Sequence, residues 1–448
     1  MLSVMNTQNQ PKSVLSSKNG DNSGSMTSQI EAFLRDAIES LESEVDEDRT
    51  GKPGRPRILS SLCLWSGLLV CVLHGFSGQL SLWRLLTVEK LWSYPRFTLS
   101  DQAIYKRLAN DGTAELEALF GRISAVLHER LEPFKLEKLA SFASEVVALD
   151  CTTLDKVARY LPALRELPTG DSQLLPGKLA ALFDIRRQQW LRIQSIDNPN
   201  ENERVTARDM VAMLPKGALI LADLGYFSFA WFDHLTDQGY WWLSRLRQKT
   251  SYKVIHTYYK DNNTFDGVIW LGKYNADKAS HAVRLVQFQV GTQTYRYITN
   301  VLDPQLLPMA DIAKIYARRW DIEIAFKLIK RYLNLHLLWS CKTTVILQQV
   351  WAVLIISQIL QSLRMEIAGR AEVDPFDVSM QLLIQYLPKL AAKGEDPIET
   401  FIKYGRQARF IRPSSRLRTE APAIPPDLFI PLPPDLILIR KPRYAGKT

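Results

Sequence analysis

Glu145-Val146-Val147-Ala148-Leu149-Asp150 is a short apolar run closed by a carboxylate, and Ala218-Leu219-Ile220-Leu221-Ala222-Asp223 repeats that arrangement further along the chain. Compact runs of aliphatic residues bounded by polar ones read as buried strands, and each of these is expected to end at its Asp. Lys178 to Arg186 and Trp190 to Ile196 read as two more strands, joined tightly through Arg187-Gln188-Gln189. Glu203 to Leu214 has apolar residues at helical spacing, Phe227 to Gln238 reads as a second helix, and Tyr240 to Leu246 as a strand. The resulting order, βββαβαβ, predicts an α/β fold: a ribonuclease-H-like mixed sheet with helices on its faces.

Outward from that core the texture changes twice. Between Lys249 and Asp303 the period becomes two, giving four expected strands, Tyr252 to Tyr259, Gly267 to Tyr274, Ala282 to Val290 and Thr294 to Val301. This reads as a β-rich insertion splitting the core before its last helix. Upstream, Ile58 to Leu131 is mostly helical in pattern. Within it Ser100 stands as a cap before a helix from which Gln102, Lys106 and Arg107 would project, either into a DNA major groove or simply from a packed helical domain. The expected divisions are therefore 1–57, a disordered and acidic segment with a basic linker; 58–140, an all-helical DNA-binding region; 141–248, the first part of the core; 249–303, the insertion; 304–370, the second part of the core; and 371–448, helices and a Pro/Arg-rich tail. Gly54-Arg55-Pro56-Arg57 in the linker reads either as a minor-groove hook or as a plain basic hinge. Arg406, Arg409, Arg412, Arg416 and Arg418 could follow DNA phosphates or form a solvated tail.

The chain has 448 residues, 46% hydrophobic and 23% charged, values of an ordinary globular protein. A net charge of +9 favours a polyanionic partner. Four cysteines without a Cys-x2-Cys pair and six scattered histidines argue against zinc ribbons, disulfide frameworks and His-rich metal sites, and fit a reducing cytoplasm. Leu62 to Leu73 is too short to cross a bilayer of about 30 Å, and Val345 to Leu363 is interrupted by Gln348, Gln349, Gln358 and Gln361, so a buried core helix is expected and no membrane. Nothing at the N-terminus reads as a secretion signal.

The chemistry concentrates in Ile315–Leu335, IYARRWDIEIAFKLIKRYLNL. Read as one helix at about 100° per residue, it brings Tyr316, Arg319, Glu323 and Lys330 into a stripe roughly 60° wide in otherwise apolar surroundings. A line so narrow fits a cleft, although Arg319 and Glu323 alone would also suit an exposed i,i+4 pair. Glu323 adds a third carboxylate to Asp150 and Asp223. Three hard oxygen donors from three elements suit Mg²⁺ or Mn²⁺. Two such ions about 4 Å apart support phosphodiester displacement.

The Tyr-x2-Arg-x3-Glu-x6-Lys spacing of Tyr316, Arg319, Glu323 and Lys330 resembles the signature of DDE transposases of insertion sequence family four. Asp150-Cys151-Thr152 resembles that family's first Asp motif, with Cys151 where Gly is usual. Ala222-Asp223-Leu224-Gly225-Tyr226-Phe227 resembles its second, with Leu224 in place of an Arg that could contact phosphate. The resemblance covers roughly 144–339. It implies cut-and-paste transposition with Asp150, Asp223 and Glu323 as catalytic and metal-binding residues, Mg²⁺ or Mn²⁺ as two ions, and double-stranded DNA (inverted terminal repeats and target) held by a homodimer. It also implies DNA contacts from Tyr316, Arg319 and Lys330, and a flipped base stacked on an insertion aromatic, Tyr295 or Trp270. Trp320, Trp241 and Trp242 are expected in the core.

Overall fold

The computed structural model describes residues 14–15, 30, 32–39, 58–76, 78–89, 91, 94–131, 139–154, 177–196, 203–272, 278–340, 342–414 and 420–440. Most of the segment expected at 1–57, its basic linker included, and Arg416 and Arg418 lie outside these. The chain divides into two compact units: a helical one of residues 1–136, 156–162 and 327–414, and a sheet unit of 137–155, 163–326 and 415–448.

The sheet unit is built on nine strands: β1 Val146–Leu154, β2 Gly177–Asp184, β3 Gln189–Ile196, β4 Leu219–Ala222, β5 Trp241–Arg245, β6 Tyr252–Lys260, β7 Thr264–Leu271, β8 Val283–Val290 and β9 Gln293–Thr299. They form one sheet in the order β3-β2-β1-β4-β5-β9-β8-β7-β6. β1, β4 and β5 are parallel, β2 and β3 are antiparallel hairpin strands on one side, and β9 joins β5 antiparallel on the other. The four strands expected as an insertion thus do not make a separate sheet. They continue the core sheet, because β9 uses the free edge of β5 and each hairpin then pairs with the one before. The central strands are apolar on both faces, as strands covered on both sides must be. Their core includes Val147, Leu149, Ile220, Trp231, Phe232 and Trp242. Trp242 stacks on Phe232, with ring centroids 4.2 Å apart.

β1 differs from its expected extent. It runs on past Asp150 to Leu154 because β2 pairs with it along that whole length, whereas its parallel partner β4 stops at Ala222. The expected helix 315–335 is also broken. A helix Met309–Ala317 ends in a turn at Arg318 and Arg319, a second helix runs Trp320–Lys327, and a π-helical turn covers Leu328–Tyr332. The break follows from anchoring. Buried Arg318 donates through Nε to Asp321 Oδ2 at 2.9 Å, and Asp321 accepts from Gln188 Nε2 at 2.8 Å at the β2–β3 turn. Such tertiary bonds override helix propensity, which favours continuation through Ala-Arg-Arg.

In the helical unit the central element is Thr343–Ala371, buried from Val345 to Ala368 except at Leu347, Trp351 and Glu366. It is long and apolar enough to cross a membrane. Three of its four interrupting glutamines are nonetheless partnered inside the unit: Gln348 Nε2 donates to Asp111 O, Gln349 receives Trp339 N, and Gln358 Nε2 donates to Ser124 Oγ. Ser100 does cap Asp101–Asn110. Gln102 and Lys106 are exposed there, but Arg107 is spent on Asp111, Leu59 O and Ser61 Oγ, so it does not project.

Candidate active site

Sheet register assembles the site. The β1–β4 ladder ends with Leu149 opposite Ala222, so Asp150 and Asp223 are the next residues on adjacent parallel strands. The β4–β5 ladder ends with Leu221 opposite Leu243, and counting on by two places Arg245 beside Asp223. One row across three strands therefore reads Asp150, Asp223, Arg245. Residues beyond the carboxyl ends of parallel strands are where α/β folds collect their sites.

The turn after the 309–317 helix brings Arg319 to this row. Its Nη2 donates to Glu323 Oε1 at 2.7 Å, and its Nη1 lies 3.7 Å from Asp150 Oδ2. The guanidinium is 95% buried, and its Nε and Nη1 have no hydrogen-bond partner among the described residues. Burial alone would lower its pKa, but Tyr316, Glu323 and Asp223 hold it above the ordinary value. Both atoms are buried, so the guanidinium stands as a fixed positive charge between two carboxylates.

Asp150 is shifted most usefully. Burial raises its pKa from 3.8 to about 6, against the Cys151 amide and Arg319, which lower it; Glu323 and Asp223 raise it further. Asp150 therefore feels the charge of both other carboxylates. Tyr316 is buried, its pKa pushed up to about 12 by that burial, and its hydroxyl donates to Ala222 O at 3.4 Å. It acts as a neutral prop between its helix and the end of β4. The Tyr226 hydroxyl meets Cys151 Sγ at 3.2 Å, so the two Asp-bearing segments are also tied to each other.

Reasoning from the sequence missed two cations. The Arg245 guanidinium lies 5.4 Å from the Tyr316 ring centre, and Arg247 donates through Nη2 to Leu224 O at 3.1 Å while lying 5.1 Å from the Phe227 ring. Arg247 thus puts a positive charge beside Leu224, where the second Asp motif lacks its usual Arg. Spacing could not show this, since the two residues meet only through β4–β5 pairing.

Other expected residues fare differently. Trp242 is in the core, but Trp320 is 49% exposed and lies beside Arg319, whose guanidinium is 5.0 Å from its ring centre. The helix break turns it outward. Trp270 is buried with Arg440 over its ring at 4.3 Å, which leaves no face for a base. Tyr295 is half-buried in a stack with Phe288 and Tyr297. Lys330 lies in the π-helical turn of the helical unit, where its carbonyl accepts from His336 N at 3.1 Å.

The donor set suits a hard divalent cation, since mutual repulsion among three carboxylates is what such an ion relieves. As placed, no three acidic, His or Cys side chains among the described residues form a closed metal-holding group. Arg319 supplies the counter-charge between Asp150 and Glu323.

No curated protein matches the chain. Among solved structures, it is similar to the piggyBac transposase in a synaptic complex with hairpin DNA, at 8% identity and a TM-score of 0.38, over 85% of this chain and 83% of that one. Residues 175–359, which include Asp223, Arg245, Arg247, Tyr316, Arg319, Glu323 and Lys330 and begin after Asp150, match the family model of the Transposase DDE domain.

Proposed function

We propose that this protein is a DDE transposase that moves an insertion sequence by cut-and-paste: it hydrolyses phosphodiesters at the element's ends and joins those ends to target DNA. The single observation that carries the reading is the register row of Asp150 and Asp223, tied through Arg319 to Glu323, in a chain whose 175–359 segment matches a transposase domain. The strand order β3-β2-β1-β4-β5, with β2 antiparallel to its neighbours, supports a ribonuclease-H-like core.

Asp150, Asp223 and Glu323 would hold Mg²⁺ or Mn²⁺, as two ions, and these supply Lewis acidity at the scissile phosphate. The chain's own residues do the rest. Arg319 supplies a fixed positive charge beside Asp150 and Glu323, and its burial strengthens the field it exerts on a phosphate held there. Arg245 and Arg247 flank the second Asp and orient the backbone that enters there. Tyr316 is a positioning residue that fixes Arg319 relative to β4. Lys330 meets the DNA backbone, and Tyr295 remains the insertion aromatic offered to a flipped base. Two copies hold the two ends in a homodimer.

The test is a duplex oligonucleotide carrying the element's ends, incubated with the purified protein and Mg²⁺ or Mn²⁺. Nicked and then joined products are expected, and EDTA should abolish both. Asp150→Ala, Asp223→Ala and Glu323→Ala should each lower cleavage by on the order of 10³. Normal cleavage by any of the three removes that residue from its role. Cut ends with no joined product would make the protein a nuclease on the same core.

A further inference from the structure

Residues 373–413 of the helical unit surround a cavity of about 570 Å³ that the proposed chemistry does not use. Three arginines line it, Arg406, Arg409 and Arg412, and all three are exposed. None of their guanidiniums forms an ion pair or a hydrogen bond with a described residue. The one carboxylate of the lining, Asp377, is engaged elsewhere: its Oδ1 accepts from Ser414 N at 2.8 Å. Three cations against the single carboxylate of Asp377 leave the depression net positive, so a polyanion is the complementary occupant.

The frame that carries them is stiff. Ile411 bridges Val378 antiparallel, Arg412 N donates to Asp377 O at 2.9 Å, and Ser379 N donates to Phe410 O at 2.9 Å. Phe410 stacks on Phe401 with ring centroids 4.3 Å apart. A Cβ added at Gly405 would stand 2.8 Å from both Phe401 O and Ile411 Cδ1, so the chain passes there at the closest approach a glycine permits. Arg409 holds φ +56°, a left-handed conformation that L side chains rarely adopt and that this packing imposes. Val373, Ile411 and Pro413 give the cavity apolar walls, against which guanidinium–phosphate bonds gain strength.

We infer that Arg406, Arg409 and Arg412 form a second DNA-binding surface, which grips the phosphodiester backbone of duplex DNA independently of sequence. This inference rests on the proposal that DNA is the protein's substrate. The planar fork of Arg suits phosphate oxygens, and charges spaced along a short loop and turn suit successive phosphates of one strand.

The experiment measures binding of a fluorescein-labelled 30-base-pair duplex to the full chain across a salt series, in EDTA so that no cleavage intervenes. Each phosphate contact adds about 0.9 to the slope of log K against log salt, so Arg406→Gln/Arg409→Gln/Arg412→Gln should flatten the slope by about 2.7. The loss should be equal on an end-bearing duplex and on a scrambled one. The Arg→Lys triple variant keeps the charge and should restore most of the slope, which separates charge from folding. Unchanged slope and affinity in the Gln variant, with metal-dependent cleavage intact in the wild type, would overturn the inference and leave the transposase reading standing. A loss confined to the end-bearing duplex would overturn backbone recognition. Absence of duplex binding by the wild type would sink both.

Discussion

Asp150 carries the sharpest consequence at the scale of one residue. Its pKa in the folded chain is about 6 against an ordinary 3.8, mainly because burial disfavours the charge. A carboxyl raised in this way stabilises the fold where it is protonated: the contribution is complete below the ordinary pKa and is lost as pH climbs through about 6. In metal-free protein the loss amounts to about 2.5 kcal/mol between pH 4 and pH 8. Asp150→Asn removes the titration, so its stability advantage over the wild type should widen by about that amount across the interval, read from urea unfolding in EDTA. A constant difference would show that the charge is not felt. Adding Mg²⁺ should narrow the gap, because an ion bound to the carboxylate favours the form that burial disfavours. The sequence made Asp150, Asp223 and Glu323 legible because each ends or interrupts an apolar run. Arg245 and Arg247 were illegible for the opposite reason. Arginines near a strand end are ordinary, and only the parallel register sets these beside Asp223 and Leu224.

At the scale of elements, periodicity found the strands and failed where tertiary bonds set the ends. β4, β5 and both hairpin pairs lie where alternation and apolar runs put them, within a few residues. β1 outran its apolar run, since Cys151 to Leu154 is held by β2 rather than by its own hydrophobicity. The 315–335 helix broke because Asp321, which takes Arg318, also accepts from Gln188 at the β2–β3 turn, and Arg319 reaches Asp150; no local signal announces either. Glycines give a test of packing at this scale. Gly267 in β7 faces His256 O, which an added Cβ would approach to 2.5 Å, and Phe265 Cζ at 2.7 Å. Its neighbour β6 already shifts register beside His256 to make room. Gly267→Ala should therefore cost about 1–3 kcal/mol through overpacking, seen as a lower urea midpoint. Gly369 is exposed within the helix Thr343–Ala371 and has nothing within 4 Å of an added Cβ. Gly369→Ala should stabilise by about 0.5–1 kcal/mol, as backbone entropy alone predicts. Equal effects at the two positions would contradict the packing described for β6 and β7.

At the scale of the molecule, the tail was the least legible part. Its composition is Pro- and Arg-rich, and such composition says nothing of where the segment lies. In the structure residues 420–440 belong to the sheet unit and are bound to its outer hairpins. Ile430 N donates to Tyr258 O, His256 Nε2 meets Ile430 O at 3.0 Å, Ala282 N donates to Leu438 O, and Arg440 N donates to Ser280 O. Phe429, Leu432 and Leu438 pack on the small cluster of Tyr258, Val268, Trp270 and Ala282. The tail covers a face of β6–β8 that the main core does not reach. Removing it by truncation after Ser414 exposes that cluster and costs on the order of 3 kcal/mol, taking three side chains at about half of their full burial value. The site row lies on β1, β4 and β5, on the other side of β9 from that cluster in the sheet order, so the truncated chain should lose thermal stability while an excess of duplex still finds Asp150, Asp223 and Glu323 in place. The check pairs a melting curve with limited proteolysis: Tm should fall, and new cleavage should concentrate in 252–290. Early cutting within 146–154 or 219–227 instead would mean that the tail supports the whole sheet, including the strands that carry the carboxylates.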